Sequence, residues 1–406
     1  MTDAKGQTTT YTYDSMDRLA SRTDALNRQE SYQYDPAGNL TQFKDRKNQT
    51  STFSYDALNR RIGATYANGR TRAFEYDAVG QLVRAVDSVT GMLEFAYDTL
   101  NRLIKEIGPK GVVTYVYDAL GRRTAMTPNG AQPVSYQYDA ASHLTQVAQG
   151  TQTVGLGYDA AGRRTSLTYP NATNTSYGYD NASRLMSILH NGPSGVIESL
   201  TYTYDAAGNR ISLTRTNGTA TLLPAAVQAA YDAANQQIQF NAASPNQTFD
   251  ANGNLTSDGV NTYTWDALNQ LEAISGPGLS AAFEYDALGR RISKTINGVT
   301  TSFLYDGNDI VAEIQGGAVS ATYVRSLNID EPFIRQTASG PEFYHTDALG
   351  SVLALTDDTG AVKTTYSYEA FGKTTITGTS SNPFHGVEKG TFYLIEPTVL
   401  LAAVQR

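Results

Sequence analysis

Apolar and aromatic residues recur two positions apart along this chain, in short runs closed by an acid. In "AFEYDAVGQLVRA" (73–85), Phe74 and Tyr76 are followed by Asp77 and then by Gly80. The same pairing occurs at Tyr11/Tyr13, Phe53/Tyr55, Tyr115/Tyr117, Tyr263/Trp265 and Phe303/Tyr305. Positions i and i+2 share one face of a strand, so each run predicts a strand with two rings on one side. Aspartate then ends the strand, because its carboxylate accepts from backbone N–H groups two or three residues on. Gly or Asn stands three residues after the acid at Gly38, Asn59, Gly80, Asn101, Gly121, Gly162, Gly208 and Gly289. That position calls for a positive φ, which predicts a three-residue hairpin loop with a bulge.

The pattern has a period. Tyr-Asp pairs begin at Tyr13, Tyr34, Tyr55, Tyr76, Tyr97, Tyr117, Tyr138, Tyr158 and Tyr179, in steps of 20 or 21. The phase then loosens through Tyr204, Tyr231, Phe249, Trp265, Tyr285 and Tyr305. A second turn falls mid-repeat, often as Asn-Gly, the strongest short hairpin signal: Asn68-Gly69, Asn129-Gly130, Asn217-Gly218 and Asn297-Gly298. Pairing across the last sets Val299 opposite Ile296, Thr301 opposite Lys294 and Phe303 opposite Ile292, with one face mainly apolar and the other mainly polar.

These elements predict an all-β chain, a repeat array of about 15 β-hairpins with roughly 30 short strands. At ~4.8 Å per strand the strip is on the order of 140 Å long, and sheet twist keeps it from lying flat, so a spiral or shell results. The best helical exception is "LLPAAVQAAYDAANQQ" (222–237).

Composition agrees with a β-rich chain: 27 Tyr and 35 Gly in 406 residues, and 17% charged. With no cysteine, disulfides and cysteine-based metal or redox sites are excluded. A net charge of -8 argues against a nucleic-acid binder. No apolar run is long enough for a membrane span, and "MTDAKGQTTT" does not read as a signal peptide.

Little points to chemistry. The recurrent aspartates read as turn caps, because catalytic carboxylates must meet at one cleft. His143, His190, His345 and His385 have no metal-ligand spacing, and no cofactor fingerprint is present. The pairs Arg60-Arg61, Arg122-Arg123, Arg163-Arg164 and Arg290-Arg291 follow turns and read as partners of neighbouring acids. The tyrosine rows read as cross-strand packing, with glycan stacking as the alternative.

The repeats resemble the Rhs/YD-repeat family. Its pattern, Tyr-Asp-x-x-Gly/Asn followed by Arg/Asn and Leu/Ile, appears in "YDPAGNL", "YDALGRRI" and "YDAAGNRI". The motif residues are Tyr34, Asp35 and Gly38; Tyr55, Asp56 and Asn59; Tyr76, Asp77 and Gly80; Tyr117, Asp118 and Gly121; and Tyr285, Asp286 and Gly289. "FYHTDALGSVLALTDDTGAVKTTYSYEAFG" (343–372) and "SNPFHG" (381–386) are similar to the opening of the Rhs-associated core, where His345 stacks or hydrogen-bonds. The resemblance divides the chain into a repeat array (1–310), the start of that core (311–384) and a tail outside the family pattern (385–406).

The resemblance implies that the hairpins spiral into an open, partial hollow shell, teneurin-like, which encloses a toxic C-terminal domain and helps deliver it. Its partners would be that domain and the secretion or delivery machinery of an intact, secreted or cell-surface member. Wall-associated relatives imply the alternative of a surface or carbohydrate-binding module. The family's self-cleaving aspartate motifs have no match here. The resemblance therefore implies a non-enzymatic chain without cofactor or metal, lacking both ends of the parent.

Overall fold

The computed structural model describes residues 1–217, 229–240, 246–368 and 374–383. The tail 385–406 and the Gly218 half of the Asn217-Gly218 turn lie outside them. The described residues form 36 strands and no helix. One antiparallel sheet of 20 strands runs from Thr10–Tyr13 to Arg210–Arg215, and another of 14 runs from Thr248–Phe249 to Thr374–Gly378. Within each sheet every strand pairs with its neighbours in sequence. Between them lies the hairpin Ala230–Tyr231/Gln237–Gln239. It replaces the helix expected at 222–237, of which 222–228 lie outside the described residues. Asp232 caps its turn, accepting from the N–H groups of Ala234 and Gln236, so the repeat's own turn chemistry overrides the helical propensity of alanine.

The Tyr-Asp turn is the expected three-residue loop. The Gly38 N–H donates to Asp35 O at 3.1 Å, and the Asp35 N–H donates to Asn39 O at 3.0 Å. Gly38 has φ 91° and Asn59 φ 61°. Register then slips from Gln33↔Gln42 to Tyr34↔Leu40, which is the bulge. One detail differs from expectation. Asp56 Oδ1 accepts from the N–H groups of Leu58 and Arg60, two and four residues on. The third N–H, that of Asn59, is taken by the Asp56 carbonyl at 3.0 Å. The same left-handed position is held by Ser142 and Ser183, at φ 66° and 62°, which the Gly/Asn pattern does not flag.

The mid-repeat turns are more varied than their dipeptides imply. Asn297 and Gly298 both have positive φ, and Ile296↔Val299 and Lys294↔Thr301 pair as expected. Asn68-Gly69 instead sits in a loop closed by Gly69 N–H to Tyr66 O and Tyr66 N–H to Arg70 O, with only Gly69 left-handed. In the earliest repeats this turn is a second aspartate cap, at Asp24 and Asp45.

The hairpin and the second sheet lie against the first and follow it in the same sense. Arg28 meets Gln236, Arg46 meets Asn252, Arg70 meets Asp266, Glu106 meets Arg290, Arg123 meets Asp306 and Arg164 meets Glu331. These contacts join residues 167 to 208 apart, so the ribbon overlaps itself after roughly eight to ten repeats. The main core lies between the layers. Val113, Tyr115, Met126 and Leu156 of the first sheet pack with Leu304, Val324, Phe333 and Phe343 of the second. In the strand Thr71–Tyr76, burial alternates with Arg72 and Phe74 covered and Ala73 and Glu75 exposed. In the first sheet the aromatic face is therefore the one turned inward.

Candidate functional site: latches in the wall and a seam between its layers

Motif tyrosines fasten neighbouring repeats to one another. The Tyr55 hydroxyl donates to Leu40 O at 2.9 Å, Tyr76 to Arg61 O at 3.1 Å, Tyr117 to Leu103 O at 2.7 Å and Tyr285 to Leu271 O at 2.9 Å. Leu40 and Arg61 are the residues paired with the preceding tyrosines, Tyr34 and Tyr55, at their bulges. Burial raises the pKa of the Tyr55 and Tyr285 hydroxyls, which keeps them protonated donors. Removing one latch by Tyr285→Phe is expected to cost about 1 kcal/mol in a urea titration, with an unchanged m-value.

Arginine supplies a second fastening. Arg60 Nε binds Asp56 Oδ2 at 2.7 Å, its Nη1 reaches Asp77 O at 3.3 Å, and its guanidinium lies 4.7 Å from the centre of the Tyr76 ring. Arg102, Arg122 and Arg163 repeat this arrangement on Tyr117, Tyr138 and Tyr179. His143 replaces arginine in one repeat, stacking on Tyr158 at 4.9 Å. Asp98 is held below the usual carboxylate range by its hydrogen bond from Arg102, and Asp56 by the N–H of Arg60. The motif residues thus form a row of like turns, one per repeat, and no common cleft. Among the described residues no cluster of His, Asp or Glu is placed to hold a metal.

The layers meet along a seam that sequence reasoning missed. Asp87, 1% exposed, accepts from Arg70 Nε and Arg72 Nε at 2.8 Å. Arg70 continues to Asp266 at 3.2 Å and to Tyr285 O at 3.0 Å, and Arg72 to Asp286 O at 3.0 Å. Further along, His190 of the first sheet and His345 of the second meet edge to face at 5.3 Å. His190 Nε2 donates to Thr346 O at 3.0 Å, leaving Nδ1 to accept from the Thr175 hydroxyl at 2.7 Å. His345 pairs with Thr356 Oγ1 and meets Tyr169 edge to face, so it hydrogen-bonds in the core as expected, without stacking. The available signal was departure from the repeat: Arg72, Asp87 and His190 are charged or polar side chains on the aromatic face.

Close fit also matters at the seam. Asn171 Nδ2 donates to Asp357 O at 2.7 Å, seating the Asp357–Gly360 turn on the first sheet. A Cβ on Gly360 would stand 2.5 Å from Pro193 Cδ and 2.8 Å from Asn171 O. Gly360→Ala therefore combines left-handed strain, at φ 81°, with overpacking, roughly 2–4 kcal/mol together. Gly316, at φ 58° with nothing within 4 Å, is the control: Gly316→Ala should lose only about 1 kcal/mol in the same denaturant titration.

The teneurin YD-shell family model matches residues 1–132 and 167–387. The chain belongs to this YD-shell family. An RHS repeat model also matches residues 117–154 and 138–173. Among solved YD-like folds, the TcdB2-TccC3 complex without its hypervariable C-terminal region is similar over 95% of this chain and 28% of its own, with TM-score 0.61 and 15% identity. The Tc holotoxin pore of Photorhabdus luminescens is similar over 90% and 26%, with TM-score 0.60 and 15% identity. The tRNA nuclease WapA of Bacillus subtilis (strain 168) is 35% identical over 160 residues, 38% of this chain and 7% of WapA. The tRNA3(Ser)-specific nuclease WapA of Bacillus spizizenii is 36% identical over 161 residues, again 38% and 7%. The YD-shell chain thus spans about a quarter of the solved chains and a small part of the curated relatives.

Proposed function

We propose that this chain is a segment of the wall of an Rhs/YD toxin shell, a non-catalytic container that encloses a toxic C-terminal domain and helps deliver it. The observation that carries the reading is the ribbon overlapping itself in one sense, layer on layer, with turns and rings spent on fastening. The relatives support a toxin context, since the solved neighbours include a Tc holotoxin and the curated ones are described as nucleases. Its partners are then the toxic domain and the delivery components of a longer, secreted or surface-exposed protein used in interbacterial competition.

Limited proteolysis tests this reading. In a longer form carrying a C-terminal domain, that domain should resist protease while the wall is intact and be digested when the seam is opened by mutation. A domain cut equally fast in both would sink the container reading. Prolonged incubation of the purified chain should leave a single 43.9 kDa band; self-cleavage would overturn the non-catalytic part. A glycan array should show no retained sugar, because motif tyrosines such as Tyr76, Tyr117, Tyr138 and Tyr179 are already bonded to a carbonyl and stacked against an arginine.

A further inference from the structure

Six asparagines are followed by glycine: Asn68, Asn129, Asn191, Asn217, Asn252 and Asn297. Such a pair is open to attack by its own main chain, because the glycine nitrogen has no Cβ beside it to keep it from the asparagine amide. The fold secures five of the six. The Gly69 N–H donates to Tyr66 O at 2.8 Å, and Asn68 Oδ1 accepts from the Arg70 N–H at 3.1 Å. Asn191 lies in the strand Leu185–Gly192, which is paired on both sides. Asn217 Nδ2 donates to Ile197 O at 2.8 Å. Asn252 Nδ2 donates to Asp45 Oδ2 at 2.6 Å and to Asn269 Oδ1 at 2.9 Å, while the Gly253 N–H donates to Asp250 O at 3.0 Å. Asn297 Oδ1 accepts from the Ser280 N–H at 2.8 Å, and its Nδ2 donates to Gly278 O at 3.1 Å. Asn129 differs. It is exposed, in the link between the strands Arg123–Pro128 and Val134–Tyr138. The Ala131 N–H donates to Pro128 O at 3.1 Å and closes a turn in which Gly130 is left-handed, at φ 78°. Among the described residues the Asn129 side chain has no hydrogen-bond partner, and the Gly130 N–H donates to none.

We propose that Asn129 is a self-modification site, at which the main-chain nitrogen of Gly130 turns the side-chain amide into a carboxylate at the edge of the seam. The Gly130 nitrogen gives up its proton and bonds to Asn129 Cγ. The Cγ–Nδ2 bond breaks, and ammonia leaves carrying that proton. Water then opens the five-membered imide at either carbonyl, giving aspartate or isoaspartate. No electron is gained or lost overall, and solvent water is the one co-reactant. The attack is intramolecular, so its rate follows how freely the amide reaches the nitrogen. Asn129 is free to swing, while its own N–H, donating to Val112 O at 2.7 Å, holds the turn in place. The location gives the product a consequence. A Cβ on Gly130 would stand 3.3 Å from Cγ2 of Val319, which packs against the main core from the second sheet. The isoaspartyl form therefore adds a main-chain carbon, and both forms a negative charge, where the two sheets meet.

Peptide mass spectrometry tests this by following amide-to-acid conversion at each Asn-Gly pair while the purified chain is held at mildly alkaline pH, in buffer and in denaturing urea. In buffer Asn129 should convert at least about tenfold faster than Asn68, Asn252 or Asn297, which must first break their hydrogen bonds. In urea those bonds are gone, and the rates should converge. Asn129→Gln should remove most of the ammonia that the folded chain releases, since its longer side chain has to close a larger ring. Another pair leading in buffer, equal rates at all pairs in buffer, or ammonia release unchanged in Asn129→Gln would each overturn the site. So would a lead of Asn129 that persists undiminished in urea, because the turn would then have no part in it. The reaction cuts no peptide bond, so these outcomes are independent of the proteolysis and self-cleavage measurements that test the container.

Discussion

Asp87→Ala should be among the most damaging single substitutions in this wall, at about 3–5 kcal/mol. The carboxylate is 1% exposed and neutralises two guanidiniums that are each 8% exposed. Arg70 and Arg72 then carry the fastening across to the second sheet, at Asp266 and at the carbonyls of Tyr285 and Asp286. Removing the acid strands two buried cations with one remaining carboxylate between them. Burial alone would raise the Asp87 pKa, but the hydrogen bonds from Arg70 and Arg72 outweigh it and hold the carboxyl below its usual range. Its stabilisation is therefore present above the unfolded value near 3.8 and is lost as pH falls through the lower folded value. Glu75, paired with Arg84 at the surface with side chains 58% and 42% exposed, gives the contrast. Glu75→Ala should change stability by less than about 1 kcal/mol. Urea titrations of the two variants decide the matter: equal losses would mean that the seam does not depend on this cluster.

The contrast between those sites shows what the sequence can and cannot display. The turns at Asp35, Asp56 and Asp118 were legible because their chemistry is local: an acid, a left-handed residue three positions on and a ring before it. The register across Asn297-Gly298 was legible for the same reason. Asn68-Gly69 was misleading because the dipeptide does not fix loop length. Tyr66 and Arg70 close that turn, and only the pairing of the flanking strands reveals it. The latch of Tyr285 could be read as a ring but not as a donor, since its acceptor lies in the preceding repeat, at the bulge. The seam was least legible. Arg70 meets Asp266 across 196 residues, and that distance is set by the pitch of the spiral, which the local period of 20 or 21 does not encode.

Acid should open the same seam at a second point. His190 and His345 are 1% and 0% exposed and face each other across the layers. Burial lowers the His190 pKa from 6.5 to about 4, and it takes His345 well below 6.5, with the neighbouring His190 adding to the effect. Around the pair, Glu198 pulls His190 weakly upward but is itself bound to Arg215. The Tyr169 ring meets His345 edge to face with its hydroxyl donating to Tyr344 O, and the Asp357 carboxylate is turned to the N–H groups of its own loop. No carboxylate among the described residues is therefore placed to welcome a proton on either ring. The unfolded chain binds protons near pH 6.5 while the folded rings stay neutral, so stability is full above that pH and falls as pH drops towards 4. His190 alone contributes on the order of 3 kcal/mol over that window, and His345 acts in the same direction. Turn aspartates such as Asp56 and Asp98, held low, lose their contribution only below about pH 4. Glu106 and Asp309, raised by burial, gain stability as pH falls and partly offset the histidines. Thermal midpoints measured from pH 7.5 to 4 should decline for the wild type and run flatter for a variant carrying His190→Gln and His345→Gln. A wild-type curve as flat as the variant's would mean that water reaches both rings, and that the layers part there at no cost.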